Sequence, residues 1–283
     1  MAEIDSVGVL GAGTMGHGIA QVAAQAGYQT FLYDVSFELA ERGVRRVGEN
    51  LQRGMERGKV TSEQKESTLR RLSPVCQLTD VARCGLVIEA IPEDLDLKKK
   101  MFRQLSETCS PQAILASNTS SLSITAIASG ASKPERVVGM HFFNPVHIMR
   151  LLEIIRADAT SDGTIEAVRQ VARRLGKETI VVRDRPGFAS SRLGVALGLE
   201  AIRMLEQGVA SAEDIDRATE LGYGYPMGPL KLGDLVGLDV RLAIAEYLHK
   251  ELGSEVFRPP QLLRDMVRAG KLGRKSGEGF YKY

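Results

Sequence analysis

The stretch "VGVLGAGTMGHGIAQ", Val7 to Gln21, sets a cluster of glycines between an apolar run and a helix-like segment. Glycine is unfavourable inside a strand or a helix because it has the most backbone freedom to lose, so such a cluster implies that the backbone itself is in use. "SVGVLGAG" and "TFLYDV" read as strands, and "GHGIAQVAAQAG" between them reads as a helix that Gly27 ends. The three segments make a βαβ unit, with Gly11-x-Gly13-x-x-Gly16 where the first strand turns into the helix. A dinucleotide needs that context: a tight turn at Gly11, close approach of backbone to pyrophosphate at Gly13 and close helix packing at Gly16, with Thr14 and Met15 in the same turn. The helix N-terminus then faces the phosphates. Asp34 follows Gly16 by 18 residues, at the end of the second strand, where a carboxylate accepts hydrogen bonds from ribose hydroxyls and repels a 2′-phosphate. The expected cofactor is therefore NAD rather than NADP. Taken alone, Asp34 also reads as a turn residue after a strand.

Further buried-strand candidates follow: "LVIEAI" (86–91), "AILASN" (113–118), "RVVGMHFF" (136–143), "LLEII" (151–155) and "TIVVR" (179–183). Continuous β-branched runs separated by helical segments imply a mostly parallel sheet covered on both faces, an α/β doubly wound, Rossmann-type fold. Between the second and third strands, Phe37 to Leu72 is charged and helical, and Gly58 marks a turn that makes it a helical hairpin insertion. After "RDRPGF", Pro186 and Gly187 break the last strand, and from Ala189 onward the pattern is helical. The expected domains are residues 1–185, which bind the dinucleotide, and an all-α C-terminal domain, 186–283.

Composition agrees with that plan. A chain of 283 residues is long enough for two cores. Its 37 basic and 35 acidic side chains leave a formal charge of +2, which gives no reason to expect nucleic acid or a membrane surface as partner. Cys76, Cys84 and Cys109 form no CxxC pair and no metal-ligand spacing, so reduced thiols and no metal are expected. A first strand beginning near Ile4 leaves no room for a signal peptide, and no apolar run reaches the roughly 18 residues of a membrane span. A cytoplasmic protein is expected.

A second constellation comprises "ASNTSSLSI" (116–124) and "GMHFFNPVHIMRLLEII" (139–155). His141 and Glu153 stand 12 residues apart, at or near two candidate strands that a loop can fold back on each other. Oxidising an alcohol with NAD needs a base for the hydroxyl proton, and a histidine held by a carboxylate suits that at neutral pH. The residues alone leave other readings open. His141 beside two phenylalanines is also what a core histidine looks like, Glu153 a structural ion partner, and "SNTSS" a helix cap.

In order along the chain, "GAGTMGHGIA", "VIEAIPEDLDLKKKMF", "LASNTSSLSIT", "GMHFFNPV", "LLEII", "YPMGPLKLGDLVGLD" and "GRKSGEGFYKY" resemble the motifs of the short, monofunctional L-3-hydroxyacyl-CoA dehydrogenase family, in particular its bacterial 3-hydroxybutyryl-CoA members. The resemblance implies reversible, NAD-dependent oxidation of an (S)-3-hydroxyacyl-CoA to the 3-oxoacyl-CoA. It makes His141 similar to the family's catalytic base, Glu153 to the carboxylate that orients it, and Ser120 to the residue that hydrogen-bonds the reacting oxygen. Glu93, Lys98, Asn118 and Asn144 resemble residues around the cofactor, and the helical insertion resembles the coenzyme A surface, with Arg53, Arg57 and Lys59 placed for phosphates. A solvated helix face is the other reading of those three cations. The resemblance also implies that the C-terminal domain closes the acyl side of the cleft and pairs two subunits into a homodimer.

One position departs from the family. Where relatives carry an asparagine after "PGF", this chain has Ser191 in "PGFASSRL", a shorter arm with one hydroxyl at a substrate-binding position. Two rival readings stay open: a dehydrogenase of a carrier-bound hydroxyacyl group or related hydroxy acid, and a non-catalytic NAD-binding or structural protein.

Overall fold

The computed structural model describes residues 4–283. The chain divides into two compact units, residues up to Arg185 and Pro186–Tyr283. In the first, strand β1 (Ser6–Leu10) passes through the glycine turn into helix α1 (Thr14–Gln25), and β2 (Gln29–Tyr33) lies parallel to β1. Helices α2 (Phe37–Glu56) and α3 (Ser62–Arg70) form the insertion, followed by β3 (Leu72–Val75) and β4 (Leu86–Glu89). Then come α4 (Leu95–Thr108), β5 (Ile114–Ser117), α5 (Ile124–Ala128) and β6 (Val137–Phe142). Strand β7 (Leu151–Arg156), α6 (Asp162–Arg174) and β8 (Glu178–Arg183) complete the unit.

The strands make one sheet in the order β3-β2-β1-β4-β5-β6-β7-β8. From β3 to β6 every pair is parallel; β7 runs antiparallel to β6, and β8 is parallel to β7. The strand order reverses direction between β1 and β4, the switch point at which open α/β sheets bind ligands. Strand β3 is the one strand absent from the sequence pattern, in which the helical insertion extends through Leu72. Four residues including Pro74 carry little strand signal, and proline is tolerated there because β3 is an edge strand.

Alternate strand residues face one core: Val7 and Val9, Leu86 and Ile88, Ile114 and Ala116, then Val138, Met140 and Phe142 pack with Ile19, Ala20 and Ala23 of α1 and Ile165, Val168 and Val171 of α6. The intervening residues are buried as well, so the strands read as continuous apolar runs. Helix α2 turns Ala40, Gly43, Val47 and Leu51 inward at three- and four-residue spacing, the single stripe of an amphipathic helix. Gly58, at φ +65°, ends that helix, and a Thr61–Gln64 capping box starts α3.

The second unit contains α7 (Ser190–Glu206), α8 (Ala212–Gly222), α9 (Pro229–Val236), α10 (Leu238–Leu252) and α11 (Gln261–Arg268) around Leu199, Ile202, Ile215, Leu230, Leu238 and Leu248. Two buried aspartates tie its ends together. Asp216 accepts from Leu230 N, Lys231 N and the Tyr281 hydroxyl, and Asp234 accepts from Phe280 N and Tyr281 N, all within 2.7–3.0 Å. Gly279 is required there, because a Cβ would lie 2.0 Å from Asp234 Oδ1.

Among the described residues no helix is long and apolar enough to cross a membrane, and no group of three or more His, Cys, Asp or Glu side chains could hold a metal ion. Burial pushes the Cys84 and Cys109 thiols up to about 11, so at neutral pH they stay protonated and unreactive.

The glycine turn makes a separable prediction. A Cβ at Gly16 would stand 1.6 Å from Gly11 O, whereas one at Gly13 meets no atom within 4 Å. Gly16→Ala is expected to cost roughly 2–4 kcal/mol in denaturant unfolding, the range of severe overpacking, and Gly13→Ala no more than about 1 kcal/mol. Equal stability of the two variants would mean that α1 is not seated against the turn.

Candidate active site

The carboxyl ends of β1, β2, β4, β5 and β6 carry the polar residues singled out in the sequence. Gly11 sits at φ +92°, donates its N–H to Tyr33 O at 2.8 Å, and would drive a Cβ to 2.6 Å from Ala90 O. It is thus wedged between the ends of β2 and β4. Asp34 closes the turn from the other side, with Oδ2 accepting from Ala12 N at 2.8 Å and Oδ1 from Val35 N at 2.7 Å. Both oxygens keep lone pairs for a further donor such as a ribose hydroxyl. Helix α1 begins at an N-cap, Gly13, that provides no side-chain cap, and the space a Gly13 side chain would fill is open. First-turn N–H groups facing an open cradle suit an anion, so these residues fit the pyrophosphate of NAD. Thr14 is exposed at that opening, while Met15 packs against the apolar core.

A buried charge cluster occupies the ends of β4 and β5. Asp94 caps α4 by accepting from Leu97 N at 2.7 Å, which turns Lys98, Phe102 and Leu105 inward. Lys98 Nζ donates to Glu89 Oε1 at 2.5 Å and to Ile91 O at 3.2 Å, and lies 3.3 Å from Glu93 Oε2. Glu89 also accepts from Ser117 Oγ at 2.6 Å and Ile91 N at 2.8 Å, so its two oxygens are satisfied although none of the residue is exposed. Glu93 in turn accepts from the Thr119 hydroxyl, from Ser120 N at 3.1 Å and from Ser121 Oγ at 3.2 Å. The backbone of Ser120 is therefore held, through Glu93 and Lys98, by a carboxylate at the end of β4. Removing one member of such a buried pair leaves a charge without its partner, which typically costs about 3–5 kcal/mol.

The third group comes from β6 and β7. Their antiparallel register sets His141 directly opposite Glu153, and Nδ1 lies 3.0 Å from Glu153 Oε2. Glu153 is fully buried and His141 nearly so. A carboxylate on Nδ1 selects the tautomer with its proton there, so the neutral ring carries its lone pair on Nε2. Asn118 Oδ1 accepts from Phe142 N at 2.9 Å, strapping the end of β5 to β6 beside His141, and the Phe143 ring packs tilted against the imidazole, its centroid 4.4 Å away. Asn144 is exposed at the start of the following loop.

Arg53 and Arg57 line a cavity of about 630 Å³ with Lys59, Asn50, His17 and His147, and its wall also includes Asn144 and, from the opening of the glycine turn, Thr14. Ser191 lies in the first turn of α7, in the second unit. The side chains that the sequence reading missed are Glu89, Ser117, Thr119 and Ser121. Glu89 did carry a signal, an acid ending the otherwise apolar run "LVIEA"; the hydroxyls carried none, because serine and threonine in a loop are ordinary.

Comparison with known proteins supports one family throughout. Residues 6–185 match the 3-hydroxyacyl-CoA dehydrogenase NAD binding domain, and residues 187–283 its C-terminal domain. A probable 3-hydroxybutyryl-CoA dehydrogenase of Deinococcus radiodurans is 48% identical over 276 residues, covering 98% of this chain and 99% of that protein. A 3-hydroxyadipyl-CoA dehydrogenase of Escherichia coli is 43% identical over the whole of this chain and 60% of its own length. The crystal structure of an (S)-3-hydroxybutyryl-CoA dehydrogenase from Ralstonia eutropha superposes with a TM-score of 0.96 at 43% identity, over 99% of both chains. An NAD-binding sheet with its glycine turn, a second unit matching the same family, and relatives that match essentially the whole of this chain lead to one conclusion: the chain belongs to the 3-hydroxyacyl-CoA dehydrogenase family.

Proposed function

We propose that this dehydrogenase interconverts (S)-3-hydroxybutyryl-CoA and the corresponding 3-oxoacyl-CoA, with His141 as the base, Glu153 as its partner and Ser120 on the reacting oxygen. The observation that carries the reading is the buried His141–Glu153 pair at 3.0 Å, held in register at the end of the sheet that bears the glycine turn. When bound, NAD supplies the ring that accepts a hydride from C3 of the substrate. The chain supplies the proton chemistry. His141 Nε2 takes the 3-hydroxyl proton while Nδ1–H stays on Glu153, whose buried negative charge stabilises the imidazolium. The Ser120 hydroxyl orients the same oxygen, and its backbone is held by Glu93. In the reverse direction His141 returns the proton to the forming alcohol. Glu93, Lys98, Asn118 and Asn144 surround the nicotinamide end, and Asp34 receives the adenosine ribose.

Arg53, Arg57 and Lys59 meet the phosphates of coenzyme A in this reading. The cytoplasm is the proposed location and a homodimer the proposed assembly. Leu193 and Leu197, one turn apart on α7, and Leu235 and Val236 on α9 are exposed apolar side chains suited to a second subunit. The acyl group has a second reading. Ser191 leaves a shorter polar arm than asparagine, and a relative 43% identical over the whole chain is named for 3-hydroxyadipyl-CoA, so a longer, polar acyl chain is the alternative to the four-carbon one.

Three measurements test this reading. His141→Ala is expected to slow turnover by roughly 10² to 10⁴ while NADH binding, followed by fluorescence, stays nearly intact; Glu153→Gln should lose less, because the base remains. Turnover of His141→Ala within about threefold of the parent would place the base elsewhere. Asp34→Asn keeps an acceptor for Ala12 N but removes the charge, and should shrink the NAD over NADP preference in kcat/KM by about tenfold. Equal efficiency with both cofactors in the parent would refute the role of Asp34. Finally, NADH oxidation should be fastest with acetoacetyl-CoA when that substrate is compared with a 3-oxo dicarboxylic acyl-CoA, a carrier-bound 3-oxoacyl group and free 3-oxo acids. Preference for any of the others moves the assignment to that substrate.

A further inference from the structure

The cavity lined by Arg53, Arg57 and Lys59 is electrostatically one-sided. Its wall includes those three cations and two histidines, His17 and His147, and no aspartate or glutamate. Among the described residues, none of Arg53, Arg57 and Lys59 has a carboxylate within ion-pair distance. The sequence brings the histidines together from distant positions. Gly18 lets the loop after β6 approach α1, since a Cβ there would stand 3.0 Å from the Val146 side chain, and this sets His147 beside the helix that carries His17. Lys177 then fixes that loop by donating to Val146 O at 2.5 Å and Met149 O at 2.7 Å.

His147, exposed at the mouth of this cavity, shares its surroundings with several cationic groups. Lys177 approaches from the start of β8, His17 from α1, and Arg53, Arg57 and Lys59 from α2 and the turn after it. A neighbouring cavity that shares His147 adds Arg150 and Arg174, again with no acid in its wall. Glu178, which follows Lys177, is paired with Arg150. Arg174 donates to Ala26 O and stacks on Tyr28. Burial, His17 and Lys177 accordingly hold the His147 imidazole below its ordinary value of 6.5. His17 donates Nδ1–H to Gly13 O at 2.7 Å, which leaves Nε2 for a ligand.

We propose that His17 and His147 are phosphate ligands of this cleft, His147 taking up a proton as the phosphorylated end of a coenzyme A thioester enters, so that recognition of that end tightens as the pH falls. The proposal rests on the coenzyme A reading of Arg53 and Arg57. The physical cause is linkage. Cations crowded around an imidazole oppose its protonation, and a phosphate carrying close to two negative charges reverses that balance, so binding and proton uptake favour each other. The sign follows directly. A group whose pKa rises on binding adds affinity below the bound-state value and loses that contribution as the pH climbs through it.

Two substrates separate this effect from the chemistry at His141. Acetoacetyl-CoA carries the phosphates, and the acetoacetyl thioester of N-acetylcysteamine carries the same reacting group without them. The ratio of their KM values cancels any ionisation common to both. Between pH 6.5 and 8.0 the KM for acetoacetyl-CoA should rise three- to tenfold relative to the short thioester, and His17→Gln with His147→Gln should flatten that rise. His147→Arg, a permanent cation at the same place, should hold the KM near its low-pH value through pH 8.0. Ionisation of the substrate's own 3′-phosphate, with a pKa near 6, works in the opposite direction and is the same for every variant. A relative KM that does not move with pH, or that moves equally in the glutamine double variant, overturns the proposal. So does a pH-dependent rise that appears in the KM for NADH instead, which would assign the histidines to the cofactor. Arg53→Ala with Arg57→Ala is the control for the underlying reading: an unchanged KM for acetoacetyl-CoA in that variant would refute the coenzyme A cleft itself.

Discussion

A missing side chain at Gly16 is the constraint on which the rest of the first unit depends. With a Cβ there, α1 could not sit against the turn that ends β1, because the added atom would overlap Gly11 O. That seat aims the first-turn N–H groups of α1 at the open space beside Gly13, and it positions the α1 face that carries His17 and Gly18. Gly18, just over half a turn further on, admits the loop after β6, where a Cβ would crowd the Val146 side chain. Dinucleotide cradle and basic cleft therefore lie on one helix whose placement is fixed by backbone contact. Backbone contact is stiffer than side-chain packing, since no rotamer change can relieve it.

The second organising feature is the relay from the buried Glu89–Lys98 pair to Glu93 at the surface. Glu89 and Lys98 are costly to remove from water, and the chain compensates with donors from Ile91 and Ser117 on Glu89, while the exposed Glu93 accepts from Thr119 and Ser121. What this secures is position. Ser120, proposed to hold the reacting oxygen, belongs to a loop with few apolar contacts to anchor it, and Glu93 binds that loop at three successive residues. Such an arrangement lets a loop meet substrate at a defined place without being buried.

The change of strand direction after β6 supplies the third. Parallel neighbours would have offset His141 from any carboxylate on the next strand through a long crossover, whereas the antiparallel pairing sets residue 141 opposite residue 153 across a loop of eight residues, 143–150. The same loop then supplies Asn144 and His147, so the proposed catalytic pair, the asparagine proposed to face the cofactor and one wall of the basic cleft share a single short connection.

Much of this was legible in the linear chain. The glycine spacing, Asp34 after a second apolar run and alternating strand and helix patterns are local, and each has a local physical cause: backbone freedom, a carboxylate at a strand end, the period of burial. They determined the doubly wound sheet and its NAD cofactor, and several short motifs in order determined the family. Strand β3 was not legible, because a four-residue edge strand with a proline is held by its neighbour more than by its own sequence. The pairing of His141 with Glu153 was legible only as a possibility of spacing, since register is decided by the turn and by which faces are buried. Glu89 could be noticed as an acid in an apolar run, but its partners Lys98 and Ser117 come from a following helix and a neighbouring strand. The acid-free wall that joins His17 and His147 to Arg53 and Arg57 draws on residues up to 130 positions apart. Composition could not disclose it, because 37 basic and 35 acidic side chains nearly cancel over the whole chain, and only folding sorts them into a place where one sign stands alone.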